Sequence, residues 1–135
     1  MPDKDYSGTP LHRKLGIKPQ ARVAILNAPD GFLDGFKYPP GVEILSRAGK
    51  DLDVAVLFVT RLKDLRDRFA ALAEAVFPDG GLWIAYPKKS SPIATNLNFD
   101  NVQQLGLDAG LVDNKSCAVD ADYSAVRFVY RLTDR

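Results

Sequence analysis

Two adjacent lysines and two serines form the sharpest group of chemically useful side chains in the sequence. Lys88, Lys89, Ser90 and Ser91 lie just beyond the apolar run Leu82–Tyr86. Two ammonium groups beside hydroxyl donors can neutralise a phosphate or a carboxylate. The same four residues also suit a solvated loop in which one lysine stem packs on a neighbouring aromatic ring. The sequence leaves both interpretations open.

Other polar residues follow apolar runs in the same way. Asn27, Asp30 and Gly31 come after the run that begins at Arg22, and Thr60 follows the run that begins at Asp53. If these runs are parallel strands, their carboxyl ends meet at one edge of a sheet, where open α/β sheets bind ligands. We therefore predict a ligand-binding site made of Asn27, Asp30, Gly31, Thr60, Lys88, Lys89, Ser90 and Ser91.

The first of these strand ends argues against a nucleotide cofactor. Such sites place closely spaced glycines after the first strand, so that the cofactor approaches the backbone. Here Gly31 stands alone, and Pro29 removes an amide donor. Ser46 and Arg47 stand where an acid would hold the ribose hydroxyls. Arg47 suits a 2′-phosphate, but without the glycines we expect neither NADP nor S-adenosylmethionine to bind, and we predict no cofactor.

Histidine and cysteine each occur once, as His12 and Cys117. One cysteine cannot form an intramolecular disulfide, and one histidine cannot supply a two-histidine zinc site. We interpret His12 as a surface residue and Cys117 as a small buried side chain. No metal site is predicted, and the catalytic residues stay unknown.

Composition restricts the class of protein. The chain has 135 residues, 46% hydrophobic and 26% charged, with a formal net charge of +1. This size fits one domain, 1–135, and the polar residues 1–7 are expected to be loose. The balanced charge gives no field that would recruit nucleic acid or an anionic membrane. No apolar run is long enough to cross a bilayer, so we expect a cytoplasmic protein.

Strands and helices are predicted to alternate along most of the chain. Short apolar runs between turn residues predict buried strands at Arg22–Asn27, Val42–Ser46, Asp53–Val59 and Leu82–Tyr86. Apolar residues at helical spacing follow the third run, and Thr60 is expected to cap that helix. Alternating units of this kind imply right-handed crossovers and a parallel sheet with helices on both faces.

The last two runs break this alternation. Val112–Val119 and Tyr123–Arg131 flank Asp120 and Asp122 and predict an antiparallel β-hairpin. The predicted fold is therefore a three-layer, doubly wound α/β domain with a mostly parallel, Rossmann-like sheet that ends in an antiparallel β-hairpin. This element order resembles a truncated class I methyltransferase, and such a resemblance carries no function by itself.

Particular stretches of sequence resemble a bacterial family. The stretches are Tyr6–Pro10, Lys14–Ile17, Val56–Thr60, Leu82–Lys89 and Gly110–Lys115. They are similar to the family called domain of unknown function 3052, and the likeness covers nearly the whole chain. The resemblance implies a small bacterial cytoplasmic protein and brings no activity with it.

Two classes of function remain open. The first is a non-enzymatic or degenerate methyltransferase-like module, in homodimeric form, that binds a small anionic ligand or a protein partner. It is favoured because no nucleophile–base pair, metal set or phosphate loop can be assembled. The alternative is a small transferase acting on a phosphorylated or carboxylated substrate, with Lys88 and Lys89 holding the anion and Asp30 as acid or base. Dependence on S-adenosylmethionine is the less favoured form of this alternative.

Overall fold

Six strands form one mixed sheet in the computed structural model, which describes residues 9–135. The strand order across the sheet is β2-β1-β3-β4-β6-β5. The first four strands are parallel, whereas β6 is antiparallel to both β4 and β5. The predicted sheet with its terminal hairpin is confirmed. The strands are β1 (Arg22–Leu26), β2 (Glu43–Leu45), β3 (Val54–Phe58), β4 (Gly81–Pro87), β5 (Leu111–Ala118) and β6 (Tyr123–Tyr130). The loose segment expected at residues 1–7 lies outside the described residues.

Helices cover both faces of the sheet, as the alternating pattern predicts. One core contains buried residues of the two longer helices, and the other contains residues at and beside the two short ones. The third helix buries Leu65, Phe69, Leu72 and Val76, whose spacing places them on one side. The helices are α1 (Leu11–Lys14), α2 (Phe32–Gly35), α3 (Leu62–Val76) and α4 (Phe99–Asp108), and a 3₁₀ turn follows at Leu132–Asp134.

The start of α3 corrects one expectation. Thr60 does not cap this helix. The residue at the N-cap position is Arg61, and the Arg61 side chain makes no capping hydrogen bond. The Leu62 amide instead donates to the Asn96 side chain over 2.8 Å. An acceptor from a distant loop therefore satisfies this helix terminus.

Two central strands are buried along their whole length. Every residue of β3 and β4 is buried, which confirms β3 as a strand covered on both faces. On the α4 side, a Cβ added at Gly106 would clash with the ring of Phe128. The glycine therefore lets α4 pack closely against β6.

The outer strand β5 is irregular. Its pairing with β6 shifts register between Asp113 and Lys115, so Asn114 has no partner there. The exposed residues Asn114, Lys115 and Ser116 surround this bulge. The end of the sheet is therefore bent and polar. Within residues 9–135, no helix is long and apolar enough to cross a membrane.

Candidate functional site

The chain reverses its direction of winding between β1 and β3. From β1 it continues to β2 on one side, and then returns to β3 on the other side. The crevice at the carboxyl ends of β1 and β3 is therefore a topological switch point, the usual place for a ligand in an open α/β sheet.

A side chain of the protein spans this switch point. Asn27 has a left-handed backbone, with a φ of 58°, and its Nδ2 donates to the Phe58 carbonyl oxygen over 2.9 Å. Asparagine tolerates this backbone better than most residues because its short polar side chain can bond locally. The bond ties the end of β1 to the end of β3. The Asn27 amide at the crevice is therefore already engaged in a hydrogen bond within the protein.

Aromatic rings pack beside the Asn27 bond. The Phe32 ring meets the Phe58 ring edge-on at 4.9 Å between centroids, and Phe58 meets Tyr123 in the same way at 5.2 Å. Phe36 stacks on Phe32 at 5.4 Å. The segment after β1 therefore fills this region with hydrophobic packing, where a glycine-rich loop would leave space for a cofactor.

The carboxyl end of β4 is open by contrast. The segment between β4 and α4 encloses a cavity of about 620 Å³, which is also lined by the first turn of α4 and the start of β6. Its lining combines two cations with hydroxyl, amide and apolar groups: Tyr86, Pro87, Lys88, Lys89, Ser91, Ile93, Ala94, Thr95, Leu97, Asn98, Phe99 and Ser124. We call this space the β4 cavity.

The charged side chains that line the β4 cavity are all positive. Lys88 is half-buried, Lys89 is exposed, and none of the lining residues is an aspartate or glutamate. Neither lysine forms an ion pair with any residue in the described range 9–135. Their positive charge is therefore available to an incoming anion.

Hydrogen bonds hold the wall of the β4 cavity in place. The Thr95 hydroxyl donates to the Thr60 carbonyl oxygen over 2.6 Å and accepts from the Leu97 amide over 3.0 Å. Asn98 and Asn101 form a reciprocal capping box at the start of α4. The segment is thus anchored both to the end of β3 and to α4.

The lysine end of the cavity is anchored as well. The Lys88 amide donates to the Asp122 carbonyl oxygen over 2.8 Å, and the Ser91 amide donates to the Lys88 carbonyl oxygen over 3.0 Å. The Ser91 Oγ accepts from the Ile93 amide over 3.2 Å, which leaves its own O–H free to donate. The backbone that carries the lysines is therefore in a defined turn.

Burial also affects the phenol at the base of the cavity. Tyr86 is 9% exposed, and desolvation raises the pKa of its hydroxyl above the ordinary value. Tyr86 is therefore a neutral group at physiological pH that can donate a hydrogen bond.

The structure brings together only part of the predicted ligand site. Lys88, Lys89 and Ser91 line the β4 cavity, and Thr60 lies one hydrogen bond away through Thr95. Ser90 is exposed and is not part of the lining.

The remaining predicted residues lie around the switch point. Asn27 bonds to the end of β3, and Asp30 and Gly31 are exposed in the turn that precedes α2. None of the three lines the β4 cavity. We predicted one ligand site along the whole carboxyl edge of the sheet. The structure instead divides this edge into the β4 cavity and the switch point, which differ in their residues.

Sequence reasoning missed three polar residues of the cavity, namely Thr95, Asn98 and Ser124. Asn98 carries a recognisable signal, since asparagine is a favoured capping residue and Asn98 directly precedes α4. Ser124 lies opposite Tyr86 in the antiparallel register of β6 with β4. No local pattern predicts that contact.

Several solved structures share this fold. A TehB-like S-adenosylmethionine-dependent methyltransferase from Corynebacterium glutamicum covers 90% of this chain and 87% of its own, at 11% identity and a TM-score of 0.61. Magnesium protoporphyrin IX methyltransferase from Synechocystis, with bound S-adenosylhomocysteine, covers 84% and 75%, at 10% identity and a TM-score of 0.58. A methyltransferase from Aquifex aeolicus covers 86% and 85%, at 14% identity and a TM-score of 0.57. The chain has the methyltransferase fold.

These matches correct one expectation from the sequence. The expectation that the protein is not an enzyme is contradicted, because several structures that share the fold are methyltransferases. The expected methyltransferase-like module is supported as a fold. No protein-family model and no curated protein sequence matches the chain. The resemblance to domain of unknown function 3052 therefore stays a prediction.

The residues at the switch point do not fit S-adenosylmethionine. The Asn27 side chain crosses between β1 and β3, and the Phe32 ring packs on the end of β3. Ser46 and Arg47, both exposed, follow β2 in place of a ribose-binding acid. The fold is shared with enzymes that use this cofactor, but the residues expected to hold a nucleotide are absent from this region of residues 9–135.

Proposed function

We propose that the protein is a small transferase of the methyltransferase fold whose substrate carries a phosphate or a carboxylate. Lys88 and Lys89 hold this anion in the β4 cavity. The observation that carries the proposal is the lining of the cavity, which combines two lysines with hydroxyl and amide groups and contains no carboxylate. The position supports it too, because the cavity lies at the carboxyl end of a parallel strand.

The two lysines act chiefly through their charge. An ammonium group is a compact charge with three donors, and its hydrogen bonds to a phosphate or carboxylate are stronger than neutral ones. Because Lys88 is half-buried, its attraction for an anion is less screened than that of a fully exposed lysine. Lys89 adds a second charge at the solvent side, where it favours the approach of anions.

The other groups of the cavity indicate the rest of the substrate. Ile93, Leu97 and Phe99 supply apolar surface, whereas Ser91 and Asn98 supply hydrogen-bonding groups. A volume of about 620 Å³ falls within the usual range for small-molecule sites. The substrate that fits is therefore a small organic compound with one anionic end.

The chain's residues bind and orient this substrate. The bonds from Thr95 to Thr60 and within the Asn98–Asn101 capping box keep the cavity wall in place before the substrate arrives, which lowers the entropy cost of positioning it. Asp30 is not part of the lining, so the acid–base role considered for it has no support from the geometry.

Calorimetry with defined anions tests the proposal. Inorganic phosphate and small carboxylic acids should bind the native protein, and the double variant Lys88→Met/Lys89→Met should lose this binding. Lys50→Met/Lys115→Met is the matched control, since both lysines are exposed and outside the cavity lining. Loss of binding in the control variant alone would place the anion elsewhere.

Turnover needs a separate measurement. The bound anions are incubated with the protein and a panel of group donors, and products are identified by mass spectrometry. A product formed by the native protein and not by Lys88→Met/Lys89→Met supports the proposal. Anion binding without any product across the panel would contradict the transferase assignment.

Methyl transfer from S-adenosylmethionine is the second candidate, and the shared fold is what favours it. The residues at the switch point argue against it, so we expect no binding at physiological concentration of the cofactor. Titration calorimetry measures this directly. A dissociation constant in the low micromolar range would show that the fold binds the cofactor without the expected glycines and acid.

A further inference from the structure

A second concave site lies at the opposite edge of the sheet. A cavity of about 420 Å³ is lined by part of α1, the segment before β1 and the segment before β2. Its lining residues are His12, Arg13, Ile17, Lys18, Pro19, Lys37, Tyr38 and Pro39. We call it the amino-edge cavity, because Ile17–Pro19 and Lys37–Pro39 precede the amino ends of the parallel strands β1 and β2.

The charge of the amino-edge cavity is unbalanced. The lining contains the basic residues Arg13, Lys18 and Lys37, and none of its eight residues is an aspartate or glutamate. The whole chain has nearly equal numbers, with 18 lysines and arginines against 17 acids. Among residues 9–135, none of these three cations forms an ion pair.

The imidazole of His12 also belongs to the lining of the amino-edge cavity. Its Nδ1 is buried and has no hydrogen-bond partner among the described residues. A buried polar atom without a partner costs about 1–3 kcal/mol, and such groups in native proteins are usually satisfied. The nitrogen has almost no accessible surface in this structure, so a ligand in the cavity reaches it only after the imidazole rotates.

The other walls of the cavity indicate more than an inorganic ion. Tyr38 is 47% exposed, and its ring lies 5.9 Å from the Phe36 ring. Pro19 and Pro39 add apolar surface beside it. An exposed aromatic ring next to a group of cations is the combination that recognises a flat ring attached to a phosphate.

We propose that the amino-edge cavity binds a phosphate monoester with a planar ring, of which a nucleoside monophosphate is the simplest example. Arg13, Lys18 and Lys37 contact the phosphate, and Tyr38 stacks on the ring. This site is separate from the β4 cavity, which lies beyond the carboxyl end of the strands. The proposal does not depend on the proposed function.

The test uses adenosine monophosphate, inorganic phosphate and adenosine as probes, measured by calorimetry on the full chain. Adenosine monophosphate should bind more tightly than either part. Lys18→Met/Lys37→Met should weaken this binding about a hundredfold, since each of the two charged hydrogen bonds lost is worth about tenfold. Tyr38→Ala should weaken it about fivefold, the lower limit for loss of one stacking contact.

Lys50→Met/Lys115→Met is the matched control, because both lysines are exposed and lie outside both cavities, so it removes the same charge without touching either site. It should bind adenosine monophosphate as the native protein does. The proposal is overturned if Lys18→Met/Lys37→Met keeps the binding, which Lys88→Met/Lys89→Met would then assign to or exclude from the β4 cavity, or if the native protein shows no binding at millimolar nucleotide. Circular dichroism checks that each variant is folded, and Lys18→Arg/Lys37→Arg, which keeps the charge, should retain most of the affinity.

Discussion

The carboxyl edge of the sheet has two halves that differ in what fills them. At β1 and β3, the Asn27 side chain and the Phe32 ring occupy the switch point. At β4, the segment before α4 leaves a cavity with two unpaired lysines. In the first half, which we call the closed half, side chains of the protein take up the space at the strand ends. The second, which we call the open half, has the solvent access and the charge that a ligand needs. A shared fold therefore predicts where a site can be, and the side chains decide which part of that edge is used.

The largest expected effect is on β3, the strand whose carboxyl end belongs to the closed half. Leu57 is fully buried in β3, and Leu57→Ala should lower the free energy of unfolding by about 2–5 kcal/mol because it leaves a cavity in the core. Denaturation in urea measures the change. Leu33→Ala is the control, since Leu33 is 47% exposed and should cost only about 0.5 kcal/mol. A cost below about 1 kcal/mol for Leu57→Ala would mean that β3 is not a central strand.

The second effect belongs to the open half. Phosphate should raise the melting temperature beyond what chloride does at the same ionic strength, because specific binding adds about 2.7 kcal/mol of stability at a hundredfold excess over Kd. Lys88→Met/Lys89→Met should remove this increment and leave the melting temperature in chloride nearly unchanged. If the increment survives in that variant, the β4 cavity is not the phosphate site. The variant Lys18→Met/Lys37→Met then shows whether the amino-edge cavity causes it.

A smaller effect sharpens the description of the closed half. Asn27→Ala loses the hydrogen bond to Phe58 and places alanine at a φ of 58°, so it should cost about 1–3 kcal/mol. Asn27→Gly loses the same bond but tolerates the backbone, and should cost less. Equal losses for the two variants would show that the backbone conformation contributes nothing. No loss in either would show that the amide does not tie the two strands together.

The smallest effect is a pH dependence in the open half. Burial raises the pKa of Tyr86 in the folded protein above its unfolded value, so the stability this group contributes is present below pH 10 and is lost as the pH rises further. Tyr86→Phe removes the ionisable group and should flatten the fall in unfolding free energy above pH 10. Urea denaturation at a series of alkaline pH values compares the two proteins. Identical profiles would mean that Tyr86 is not desolvated.

The sequence predicts the fold more completely than it predicts the site. Buried strands such as β3 are continuous apolar runs, and α3 repeats its apolar residues at helical spacing, so both signals are local. The lysine pair was found in the same way, because it follows a strand directly. The whole carboxyl edge was expected to be open, however, and the closing of one half depends on contacts between Asn27 and Phe58, which are 31 residues apart.

Long-range contacts also explain why the predicted capping role of Thr60 was wrong. Thr60 has the residue type of a helix cap, but Asn96 supplies the acceptor from 34 residues away. Ser124 enters the β4 cavity only through the antiparallel register of β6 with β4. Such partners become visible when the strand order is known, and no pattern within one segment of the sequence encodes them.

The bulge in β5 affects how two molecules of this protein can meet. A regular edge strand offers a row of unpaired amide and carbonyl groups, which readily adds a strand from another molecule. Here the register shift at Asn114 interrupts that row, and the exposed Lys115 places a charge beside it. Sheet-to-sheet polymerisation through β5 is therefore disfavoured. A homodimer, which stays a prediction, would form more readily through another surface, and its sedimentation coefficient should not change on Lys115→Ala.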